Sequence, residues 1–83
     1  MIKGDWFGVP AEAVSGIPAV RLLGREITEI VNHKGLKSCG EEEICIHTKI
    51  GILSVAGAML SIKEINADGI RIEGRIEKIC YVS

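Results

Sequence analysis

Aromatic side chains are nearly absent from this chain: Trp6, Phe7 and Tyr81 make up 4% of its 83 residues. Small β domains that hold single-stranded nucleic acid stack bases on aromatic platforms inside a basic groove. This sequence supplies neither. Charge of one sign is missing too. Ten basic residues against eleven acidic ones leave a net charge of −1, which gives no electrostatic footprint for nucleic acid or an anionic membrane. No apolar run approaches the ~18 residues of a membrane helix, and "MIKGDWFGVPAEAVSG" has no apolar stretch of signal-peptide length. The expected location is therefore the cytoplasm. Three cysteines, an odd number, argue against a disulfide framework and for reduced thiols. A Gly-rich phosphate loop, a G-x-S-x-G elbow and a zinc-binding helix motif are all missing, so no enzymatic activity is expected.

What remains is a small apolar chain rich in Ile, Val and Leu. Its apolar content of 47% excludes a disordered protein, and its length fits one domain over residues 1–83. An N-terminal arm, 1–18, is expected to carry one short helix from Pro10 to Ser15, opened by Pro10 and stopped by Gly16 and Pro18. Residues 19–83 read as a β core. "VRLL" and "EITEIV" flank Gly24; "NHKG" reads as a turn with "LKSC" as its return strand; "GEEE" is the next turn. "ICIHT" places Ile44, Ile46 and Thr48 on one face and Cys45 with His47 on the other. "NADG" is the strongest hairpin signal. In "IRIEGRIEKICYV", Ile79 and Tyr81 fall out of phase with Ile76, which predicts a bulge near Glu77 and Lys78. The expected fold is all-β: a small antiparallel sandwich or barrel of six to eight short strands. The likeness of "GILSVAG" to "GIRIEG" leaves a solenoid-like stack as the alternative. The expected core is Ile44, Ile46, Leu53, Val55, Leu60, Ile62, Ile70, Ile72 and Ile76.

One stretch tempts a chemical reading. "SCGEEEICIH" contains Cys39, Cys45 and His47, and His33 lies close upstream. Zinc sites usually pair ligands as C-x₂₋₄-C or H-x₃₋₅-H, whereas the spacings here are C-x₅-C and C-x-H. Cys45 fits better as a small apolar strand residue. As nucleophile and base, Cys45 and His47 would stand about 6–7 Å apart along a strand, beyond direct contact. No metal and no cofactor are expected. The alternative is a metal- or thiol-dependent regulatory protein using Cys39, Cys45, His33 and His47. The alternating face of Arg71, Glu73, Arg75 and Glu77 suits either cross-strand ion pairing in water or a partner surface. Trp6 and Phe7 suit a lid tucked onto the core.

The order of short motifs carries a resemblance. Pro10 and Pro18, "LLG" at 22–24, "NHKG" at 32–35, "TKIG" at 48–51, "IKEI" after Gly57 and Leu60, and the "I-x-I-x-G-x-I-x-x-I" ending follow one another over about Gly8 to Val82. In this the chain resembles the YabP/YqfC family of sporulation proteins, on the YqfC side. The resemblance implies a small non-enzymatic protein of endospore-forming bacteria, with a YqfD-like membrane-linked stage IV sporulation protein as the expected partner. It also implies peripheral placement at a spore membrane through that partner, and homo-oligomerisation is a further expectation. It makes His33 a contact or structural residue. The interaction surface expected on these grounds is Asn32, His33, Lys34 and Gly35 together with Arg71, Glu73, Arg75 and Glu77.

Overall fold

The computed structural model describes residues 16–82; the expected helix at 10–15 and the aromatic lid of Trp6 and Phe7 lie outside them. Six strands follow in order: β1 (Ala19–Leu23), β2 (Ile27–Val31), β3 (His33–Cys39), β4 (Glu43–Thr48), β5 (Gly51–Ile65) and β6 (Gly69–Val82). All pair antiparallel in one sheet of order β1-β2-β6-β5-β4-β3. Among the described residues the sheet does not close into a barrel. The antiparallel pairing removes the solenoid alternative, and two of the strands are long rather than short.

Straight, the 15 residues of β5 would span about 50 Å. The longest dimension of the molecule is 34 Å, so the strand must bend. It does so together with β6. The pairing register between them shifts between Ala56 and Gly57, and again between Ala58 and Ser61. Past these points each strand changes neighbours. The sheet thereby folds into two leaves. One holds β1, β2, the first half of β6 and the second half of β5. The other holds β3, β4, the first half of β5 and the second half of β6. The shortest dimension, 18 Å, suits two facing layers about 10 Å apart.

The bend depends on two glycines. A Cβ on Gly57 would stand 1.8 Å from the Arg75 carbonyl oxygen. One on Gly74, whose φ is +139°, would stand 2.5 Å from the Met59 carbonyl oxygen. No side chain fits where the two backbones cross this closely. Hairpin turns then hold each bent strand. Gly74 N and Ile76 N donate to Glu26 O and Arg25 O at 3.0 and 2.6 Å. In the other leaf Gly57 N and Leu60 N donate to Glu42 O and Glu41 O at 3.0 and 2.8 Å. The two leaves are thus built alike, each a hairpin plus one strand that bends at a glycine. This accounts for the likeness of "GILSVAG" and "GIRIEG". The extra residue at the β5 bend is Met59, held at φ 57°.

Both leaves turn their inner faces to a single core. Ile30, Leu60, Ile70 and Ile72 come from the first leaf; Ile44, Ile46, Leu53, Val55 and Ile76 come from the second. The expected core is found, except that Ile62 is only partly buried, and Ile30 joins it. The phase break in β6 is also found: Ile76 pairs with Gly57 and Lys78 with Ala56, so Glu77 is the extra residue.

Several turns are corrected. "NHKG" is not a hairpin, and "LKSC" does not return along β2. Asn32 alone, at φ 62°, forms a corner through which the chain passes from one leaf to the other. β2 pairs with β1 and β6, whereas β3 pairs with β4. Gly35, expected in that turn, lies inside β3. "NADG" is a hairpin turn, closed by the Asn66 side chain, whose Oδ1 accepts from Asp68 N and Gly69 N at 2.8 and 3.0 Å.

Candidate interaction surface

The "NHKG" corner is a clip. Asn32 Nδ2 donates to Ile17 O at 3.0 Å, tying the corner to the segment that enters β1. His33 Nε2 donates to Asn66 O at 2.7 Å, and its Nδ1 accepts from Gly35 N at 3.0 Å. The ring thus bridges the corner and the β5–β6 hairpin, with the proton on Nε2. Both polar ends of His33 are engaged within the fold. Lys34 is exposed beside it.

The outer faces of the two leaves carry different chemistry. On the first leaf, register places Arg21, Glu29, Arg71 and Glu64 in one row across β1, β2, β6 and β5. Their signs alternate. Arg71 Nη1 lies 3.2 Å from Glu29 Oε2, and Arg71 Nε lies 3.3 Å from Glu73 Oε2. Arg21 Nη1 stands 3.9 Å from Glu29 Oε1. Such partly exposed pairs contribute about 0.2–1 kcal/mol each; their larger effect is to set register, because like charges placed opposite one another are destabilising. On the second leaf the corresponding row is Ser38, Cys45, Ser54 and Cys80, with small side chains throughout. Ser54 is buried there, and its hydroxyl donates to Glu43 Oε2 at 2.6 Å.

The alternating face from the sequence divides at the bend. Arg71 and Glu73 lie in the ion-paired lattice. Arg75 and Glu77 lie beyond Gly74, more exposed and 3.9 Å apart. There an open groove of about 600 Å³ is lined by Arg25, Glu26, Ile27, Met59, Glu73 and Arg75, among others. Met59, 81% exposed, projects beside it. Sequence periodicity could not have singled out Met59, because its position follows from the bulge.

The four candidate metal ligands do not converge. Cys39 pairs with Ile44 and so lies on the inner-face side of its leaf, while Cys45 and His47 lie on the outer face. His33 is committed to the corner. Among the described residues no group of three or more His, Cys, Asp and Glu side chains is placed to hold a metal ion. Among them, too, no helix is long and apolar enough to cross a membrane.

Sequence reasoning placed "VRLL" in the β core but did not single out β1 as a surface. Val20, Leu22 and Leu23 are 37%, 51% and 36% exposed. By register Val20 and Leu22 face the same side as buried Ile30 and Thr28, yet at the rim of the leaf they remain in solvent. A smaller groove of about 330 Å³ runs from Leu22 to Ile76 and Ile79.

Comparison with known proteins places this architecture in a family. The chain is 31% identical over 74 residues to the uncharacterized protein YqfC of Bacillus subtilis (strain 168), a match covering 89% of this chain and 80% of that protein. The model of the YabP family matches residues 17–83, from the segment entering β1 through the last strand. The chain belongs to the YabP family.

Proposed function

We propose that this protein is a non-enzymatic sporulation module that acts by association: it docks on a membrane-linked sporulation protein, or assembles with further copies at the developing spore. Family membership carries the reading. The surface chemistry supports it. The conspicuous outward features are an ion-paired lattice, a rim of exposed apolar residues on β1 and a projecting methionine, which suit contact with another protein. The candidate partner is the YqfD-like membrane-linked protein that the family likeness implies. The chain would then be held at a spore membrane through that partner.

The test has two arms. A tagged full-length chain, expressed during sporulation in its native host, is used to recover bound proteins, and spore yield is counted after deletion of its gene. Enrichment of a membrane-linked sporulation protein together with reduced yield is expected. Normal yield of heat-resistant spores with no enriched partner would refute the proposal.

A further inference from the structure

Met59 occupies its place against two local rules. It sits in the β5 bulge at φ 57°, a backbone region that Gly, Asn and Asp adopt most readily. Methionine has no turn chemistry to offer there. Nor is it stabilised by burial, because 81% of it is exposed. An unbranched, polarizable thioether held out in solvent suits an apolar contact with another molecule.

The surface differs in charge on the two sides of Met59. On one side the β3–β4 turn abuts the bulge, with Glu41 O accepting from Leu60 N at 2.8 Å. This turn presents Glu41 and Glu42 to solvent. On the other side lies the groove of about 600 Å³, with Arg25 and Arg75 exposed along it. Of its two carboxylates, Glu73 is held by Arg71 at 3.3 Å, which leaves Glu26 against two arginines. Among the described residues Arg25, Glu41 and Glu42 make no ion pair, and Arg75 reaches Glu77 only at 3.9 Å.

A projection beside anions thus adjoins a hollow beside cations. Met59 itself lines the groove, so the two form one continuous patch. A twofold contact places residue i on residue j and j on i. Applied to this patch, it brings each methionine to the hollow of the other copy and each acidic turn to the other copy's arginines. The patch is its own complement. The net charge of −1 adds little repulsion between copies.

We propose that this patch is the interface of a twofold dimer: Met59 of each copy enters the groove of the other, and Glu41 of each copy faces Arg25 of the other. This rests on the reading of the protein as an association module and names a second copy as one of its partners.

Sedimentation equilibrium of the full-length chain tests it. A species of twice 8.9 kDa should form with a Kd of about 10 μM, as suits a small interface. Amide shifts that change with concentration should centre on residues 25–27, 41–42, 58–60 and 73–75. Asn adopts positive φ readily, so Met59→Asn should leave the melting of the monomer unchanged and weaken the dimer about tenfold or more. Arg25→Glu alone and Glu41→Arg alone should each weaken it about tenfold by setting like charges together. Mixed in equal amounts, these two variants should recover a dimer, because the pair of unlike copies regains both opposite-sign contacts. A chain that stays monomeric up to about 200 μM, assembly beyond two copies, indifference to Met59→Asn, or charge swaps not rescued by mixing would each overturn the proposal. So would groove amides already slow to exchange in a monomer, as if residues 1–15 covered them, or shifted only by a membrane-linked protein recovered from sporulating cells. Spore yield separates this from the functional reading. If gene deletion lowers the yield and the chain is strictly monomeric, the dimer falls and the association module stands; if the dimer forms and deletion has no effect, the reverse holds.

Discussion

Replacing Gly57 by Ala should remove a large share of the protein's stability. The added Cβ would lie 1.8 Å from the Arg75 carbonyl oxygen and 2.9 Å from its carbon. An ordinary C···O contact needs about 3.3 Å, so β5 and β6 would have to part by about 1.5 Å where they cross. The obstacle is backbone in mid-strand, with no flexible side chain to swing aside. Gly57 N is bonded to Glu42 O at 3.0 Å, and Ile76 N, directly opposite, to Arg25 O at 2.6 Å. Movement of that size breaks at least one such bond or its cross-strand neighbours, at about 1–3 kcal/mol for each buried group left without a partner. Displacing Val55 and Ile76 from the shared core adds about 1–3 kcal/mol. The total is about 4 kcal/mol. A chain of this length has an overall stability of roughly 4–12 kcal/mol, so the loss is about a third of it or more and the variant should melt far below the parent. Urea denaturation followed by far-UV circular dichroism measures this, with Gly74→Ala as the companion at the second bend. A loss under about 1 kcal/mol for Gly57→Ala would show that the strands do not cross at this distance and would refute the bent-sheet account.

Ile72→Ala removes a fully buried side chain from the centre of the core and should cost about 2–4 kcal/mol in the same assay; a loss under about 0.5 kcal/mol would mean that this face is not the interior. Thr28 is buried with its hydroxyl unpartnered among the described residues, so Thr28→Val, nearly equal in shape, should raise stability by about 1 kcal/mol. A fall in its urea midpoint would reveal a partner for that hydroxyl. Cys39→Ser with Cys45→Ser should keep the native circular dichroism spectrum, and protein purified without added metal should contain under about a tenth of an equivalent of zinc; one equivalent, lost on double substitution, would restore the metal-dependent reading.

Where the hydrophobic period was two and unbroken, the sequence could be read directly. Ile44 and Ile46, and Ile70, Ile72 and Ile76, occupy the faces their alternation assigns. The slip after Ile76 was visible as a change of phase. What could not be read was the role of the glycines. Gly24, Gly57 and Gly35 look equivalent in sequence, yet the first closes a hairpin and the other two lie within strands. The difference arises from which backbone crosses at each point, a long-range property. The β2–β3 junction was misjudged for a similar reason. "NHKG" has turn chemistry, but Asn32 and His33 use their side chains to tie the corner to Ile17 and Asn66, at sequence separations of 15 and 33 residues. The candidate surface was only half legible. The alternating charges of β6 could be read, whereas the row they complete across β1, β2 and β5 exists only through register.

Near-duplicate leaves also explain why so short a chain can present surfaces of distinct character. Each leaf must spend its inner face on the shared core, because neither could bury an apolar face alone. The outer faces and edges are released from that constraint and can diverge without disturbing the plan. Arg71 and Glu29 hold one outer face in register through charge, whereas Ser54 and its neighbouring cysteines fill the other with small side chains. The edges diverge further, β3 being broken by bulges and lysines while β1 runs regular and apolar.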